Sequence, residues 1–161
     1  MVYRPDIMIT APETGDVLAV VEVTGRHPAG SDRRVAQLFE CLRSTGGGIA
    51  LLITPESVTI FRDRSLSSDP RSMERTGPLP LGRLFYMLGS GQDHGLGSDQ
   101  DHGVGESAMA NLVGRWMEDL AAGRLDRVIP QETREALERQ VVPLLRASQV
   151  SFAPPRRLDY A

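Results

Sequence analysis

Two acidic residues occupy positions where a carboxylate needs a reason. Asp6 follows Pro5 at the head of a stretch rich in strand formers, and Glu22 interrupts the apolar run VLAVVEV at 17–23, with Thr24 two places beyond it. A carboxylate inside a mostly apolar strand carries a desolvation cost unless it is paired or bound to a metal. Strand side chains alternate between faces, so Glu22 and Thr24 share one side, and a hairpin joining the two segments would bring Asp6 toward Glu22. Two convergent carboxylates are hard oxygen ligands suited to Mg²⁺ or Mn²⁺, and an ion held there could activate a water and offset charge on a scissile phosphate. The plainer alternatives are that Asp6 only opens a turn, and that Glu22 lies at an exposed edge or in a buried pair with an arginine.

The surrounding sequence supplies elements that could position these groups. Residues 2–10 read as a strand, Pro12 to Asp16 as a polar break, and 17–23 as a second strand, most simply a hairpin. After a loop at 25–30, Ser31 or Asp32 is a suitable helix N-cap, and Val35, Leu38, Phe39 and Leu42 recur at helical spacing. Gly46, Gly47 and Gly48 end that helix. IALLIT at 49–54 reads as a buried strand, with SVTIF at 57–61 as its hairpin partner. A helical connection between 17–23 and 49–54 fits a parallel pairing of those two strands.

Arg62 to Pro80 is polar and rich in Ser, Arg and Pro, which predicts a surface loop, and 81–88 predicts a short helix. The loop 89–105 carries QDHGLG at 92–97 and QDHGVG at 100–105, a tandem duplication too short for a solenoid repeat. Its histidines, His94 and His102, match no rigid zinc spacing. Met109, Leu112, Val113, Trp116 and Leu120 predict a helix over 106–122, and 131–147 predicts another, bent at Pro143. Both should pack on the sheet or on each other. The tail 151–161 reads as extended, beginning with a short edge strand.

The arrangement RPDIMI…VVEVTG, with a helix and two strands following, resembles the PD-(D/E)xK restriction-endonuclease-like nuclease superfamily over residues 2–62. Pro5-Asp6 stands for the first half-motif and Glu22-Val23-Thr24 for the second. Gln37 to Cys41 is similar to a Gln-xxx-Tyr motif of several branches, with Cys41 in the tyrosine place. The resemblance implies an α/β fold with a central mixed sheet flanked by helices, here with a helical C-terminal part. It also implies a divalent metal on Asp6 and Glu22, and hydrolysis of DNA phosphodiester bonds. Thr24 stands where the family has lysine. A threonine hydroxyl can position water, but it carries no charge and is a poor base. Arg26 and Arg34, with Arg33 beside them, are the candidates for phosphate contact and charge stabilisation, His27 could act as a base in place of the lysine, and Gln37 is the candidate for support of the site.

Composition sets the outer bounds. The chain has 161 residues, 40% of them apolar, enough for one packed domain over 1–150. All 18 basic Lys/Arg positions are arginine, against 21 acidic residues, for a net charge of −3, so no overall basic surface advertises nucleic acid. The single cysteine excludes an intramolecular disulfide and a four-cysteine zinc site. No signal-peptide pattern or membrane-length apolar run is visible, so a cytoplasmic location is expected. Two functions follow as expectations, beside the alternative of an unrelated α/β interaction domain whose acids merely decorate the sheet. One is a Mg²⁺- or Mn²⁺-dependent nuclease with DNA as partner. The other is a catalytically degenerate nuclease fold acting as a binding subunit of a larger defence or DNA-processing complex, with a homodimer or protein partner on the C-terminal helices.

Overall fold

The computed structural model describes residues 5–24, 32–46, 48–63, 73–90, 106–125, 127–146 and 149–152. The expected hairpin is present, formed by β1 (Ile7–Thr10) and β2 (Val17–Val23), with Ile7 opposite Val21 and Met8 opposite Val20. The polar break between them folds back through two backbone bonds, Ala11 N–H to Asp16 O and Gly15 N–H to Ala11 O, both 2.8 Å. Gly15 takes the left-handed φ of 73° that this turn requires.

From β2 the chain passes through α1 (Asp32–Thr45) to β3 (Ile49–Ile53), which lies parallel to β2 in the register Ala19 to Ile49 through Val23 to Ile53. Gly46, at φ 73°, stops the helix in the left-handed conformation common after helix ends. A tight turn then reverses the chain into β4 (Ser57–Asp63), antiparallel to β3. The Thr54 hydroxyl oxygen fixes this turn by accepting the backbone N–H groups of Ser57 at 2.9 Å and Glu56 at 3.2 Å.

The stretch read as a surface loop over 62–80 is corrected by the structure, because Met73–Pro80 is a strand, β5, paired antiparallel with β4. It is an edge strand, which explains how it accommodates Pro78 and Pro80. Its register slips between Val58 and Ile60, opposite the Gly77-Pro78 pair.

Among the described residues, α2 (Leu84–Ser90), α3 (Glu106–Ala121), α4 (Gln131–Gln140) and α5 (Val142–Arg146) follow. The expected helix over 131–147 is therefore two helices, and the break lies at Val141 rather than at Pro143. A proline in the interior of a helix would clash with the carbonyl four residues back and lose its hydrogen bond. At the second position of a new helix it costs neither. The chain closes with β6 (Gln149–Phe152), antiparallel to β1, so the sheet continues into what sequence alone read as the start of the tail.

The described residues form an α/β arrangement with a mixed six-stranded sheet in the order β5-β4-β3-β2-β1-β6. One face buries Ile7, Ile9, Val21, Leu51 and Ile60 against α2 to α5, where Phe85 and Trp116 meet edge to face with ring centroids 5.6 Å apart. The opposite face buries Val20, Ala50, Leu52 and Phe61 against Leu38 and Leu42 of α1. This alternation of odd and even strand positions decides where the candidate chemistry lies. No described helix is long and apolar enough to cross a membrane.

Candidate functional site

Glu22 has the parity of Val20, so it belongs to the α1 side of the sheet, and it is 2% exposed. Its neighbours across the strands are Leu52 on β3 and, beyond that, Thr59 on β4, each 4% exposed. Extending the β1–β2 register by one residue puts Asp6 opposite Glu22 on this same side. The two carboxylate positions singled out in the sequence are thus brought to one end of one face.

Asp6 also has a structural task. Thr24 N–H bonds to Ile53 O at 2.9 Å, so the amide before it, Val23 N–H, points the other way, toward β1. The half-buried Asp6 carboxylate accepts that N–H through Oδ2 at 2.8 Å, taking the part of a ladder carbonyl just before β1 begins. A carboxylate has lone pairs on both oxygens, so this bond fixes its position and is compatible with further ligation.

The helix contributes the other wall. Because α1 joins two parallel strands, it runs back against them, and its N-terminus lies at the carboxyl ends of β2 and β3, where Glu22 and Thr24 are found. The positive end of the helix dipole is therefore on the side of the carboxylates. Gln37 and Cys41 are both half-buried and lie one turn apart on the same stripe. The Cys41 thiol is pushed above its usual range, first by burial and then by the negative charge of Glu22, which puts this residue within electrostatic reach of the carboxylate. In the sequence Cys41 reads as a motif position and a small buried apolar residue. Its proximity to Glu22 depends on how α1 lies over β2, which no local pattern reports.

Thr24 is 7% exposed and continues the β2 pairing by one residue. Arg26 and His27 lie outside the described residues, as do His94, His102 and the duplicated loop around them. Arg33 and Arg34 sit in the first turn of α1, but their side chains are likewise outside the described set.

The donor set suits one class of metal better than another. Among the described residues, no three His, Cys, Asp or Glu side chains converge into an all-protein cage. Mg²⁺ is commonly held by one or two carboxylates, with water and substrate phosphate completing its shell, so an Asp6 and Glu22 pair is chemically sufficient for it. Such a pair would be a poor structural zinc site, which takes four nitrogen or sulfur ligands. No family model, curated protein or solved structure matches this chain.

Proposed function

We propose that this chain is a divalent-metal-dependent nuclease of the PD-(D/E)xK restriction-endonuclease-like type, acting on DNA, with Asp6 and Glu22 as the metal ligands. The observation that carries the reading is the burial of Glu22 at the carboxyl end of β2, on the same face as Asp6 and within electrostatic reach of Cys41 on α1. A carboxylate there is a hard oxygen donor of the kind Mg²⁺ or Mn²⁺ takes, and with Asp6 it makes two. When bound, Mg²⁺ or Mn²⁺ would supply Lewis acidity and a water of lowered pKa.

The protein's own groups take the remaining roles. Asp6 is oriented by its bond from Val23 N–H, and Glu22 by the strand around it. Thr24 offers a hydroxyl that can hold a water by hydrogen bonding, without the charge a lysine would bring. Gln37 supports the site from α1, and Arg26 and Arg34 are assigned to phosphate contact from their positions in sequence.

The test is cleavage of labelled single- and double-stranded DNA with Mg²⁺ or Mn²⁺, comparing wild type with Asp6→Asn and Glu22→Gln. Metal-dependent cutting that both substitutions abolish is the expected result. A second reading, a degenerate fold used as a binding subunit, draws support from the uncharged, buried Thr24 in the lysine place. A well-folded wild type that neither cuts DNA nor binds metal would favour it over the nuclease.

A further inference from the structure

The sheet has two margins, and they differ in composition. The β5 margin carries exposed Glu74, Arg75, Pro78 and Pro80, and charge and proline are the means by which edge strands resist further pairing. At the other margin β6 reads QVSF and has neither.

The backbone bonds show which groups β6 turns away from the sheet. Val23 N–H points toward β1, since it donates to Asp6, so Val21 two residues before it faces β1 as well and forms a hydrogen-bonded pair with Ile7. Ile7 thus directs its N–H and C=O to β2. Met8 directs its own to β6, where it stands opposite Ser151. Alternation along β6 then leaves Val150 and Phe152 with N–H and C=O directed away from β1. Among the described residues, no strand lies there to receive them.

We infer that β6 pairs antiparallel with β6 of a second copy of this chain, joining two sheets into one. The inference goes beyond the nuclease reading and does not depend on it. The register that uses every outward group is centred on Ser151. Val150 then meets the partner's Phe152, Phe152 meets the partner's Val150, and each pair exchanges two bonds. A register centred on Val150 would leave Phe152 beyond the end of the partner strand, and one centred on Phe152 would set Val150 against Pro154, which has no N–H to give. This self-complementarity is what a two-fold contact requires. The helix layer leaves room for it. Because α3 contacts both β2 and β6, it lies across β1, so the two copies of α3 stand three strand spacings apart, roughly 14 Å. Helices collide only when closer than about 8 Å.

The experiment begins with sedimentation of the full chain. The junction is short, so wild type should be monomeric at low micromolar concentration and dimeric at high micromolar concentration. Across the two-fold axis the Ser151 Cα atoms would stand about 4.5 Å apart, and like charges directly opposite destabilise a strand pair. Ser151→Lys and Ser151→Glu should each stay monomeric, and an equimolar mixture of the two should dimerise again, which misfolded variants could not do. Val150→Pro deletes an outward N–H while the bonds of Gln149 and Ser151 to β1 remain, and it should also stay monomeric. With Cys41→Ser removing the native thiol, Ser151→Cys should form a covalent dimer in a glutathione redox buffer, whereas Ser44→Cys, exposed on α1, should not. A wild type that is monomeric throughout, a dimer that persists in both charge variants, or a Ser151→Cys chain that crosslinks no faster than Ser44→Cys overturns the inference.

Discussion

Asp6 Oδ2 receives the backbone N–H of Val23 at 2.8 Å, so the first carboxylate of the candidate site is also the last link of the β1–β2 ladder. Structure and chemistry can therefore be separated at this residue. Asp6→Ala leaves a part-buried N–H without its acceptor and should destabilise the fold by about 1–3 kcal/mol in urea denaturation. Asp6→Asn keeps an acceptor oxygen and should cost less. Metal binding, read by calorimetry with Mn²⁺, should be weakened strongly in both.

Glu22 can be tested through the metal itself. Glu22→Gln keeps the size of the buried side chain and an acceptor oxygen while removing its charge. At a hundredfold excess over Kd, Mn²⁺ should stabilise wild type by about 2.7 kcal/mol and leave Glu22→Gln unmoved in a thermal melt. Equal stabilisation of both proteins would remove Glu22 from the ligand set.

Cys41 reports on the same carboxylate. Burial and the Glu22 charge raise its pKa, so the fold favours the neutral thiol. That preference contributes stability in full below the ordinary thiol pKa and is lost as pH rises through the higher folded value. Alkylation of Cys41 at pH 8 should be slower than that of a free cysteine, and Glu22→Gln should speed it by shifting the rate profile to lower pH. An unshifted profile would show that the two residues do not sense each other.

Thr133 is fully buried at the start of α4 and donates its hydroxyl to Pro80 O at 2.6 Å, tying the helix to the end of β5. Thr133→Val should cost about 1–3 kcal/mol because a carbonyl loses its donor, whereas Thr133→Ser should recover most of the loss. Urea midpoints of the two variants check this directly.

Gly82 sits at φ 60°, and a Cβ there would come within 2.7 Å of Val128 O. Gly82→Ala should destabilise the protein by more than 1 kcal/mol, since backbone rather than a movable side chain is in the way. A thermal melt suffices to measure it.

How far the sequence could be read depended on where each segment's structure is decided. The unbroken run at 17–23 and the spacing of Val35, Leu38, Phe39 and Leu42 identify β2 and α1 locally, because apolar periodicity there matches the burial that follows. The stretch MERTGPLP carries no such pattern. It is a strand because β4 supplies a partner and because Thr133 and, through Thr76, Gln140 fasten it from the helices, at distances along the chain that no window spans. Pro143 misled by one element boundary, since its steric effect falls on the residues before it. The pairing of Asp6 with Glu22 was legible from hairpin geometry and strand alternation. The nearness of Cys41 to Glu22 depends on tertiary placement.

The pairing of Ile7 with Phe152 sets a schedule for folding. Before β6 emerges from the ribosome, β1 can complete its hairpin with β2 but keeps its outer row of amides and carbonyls unpaired, an open template for another chain. Closing the sheet brings together residues nearly the full length of the sequence apart, and such pairings form slowly. Production should therefore be sensitive to anything that delays residues 149–152, and fragments ending before them should aggregate rather than accumulate as smaller folded domains.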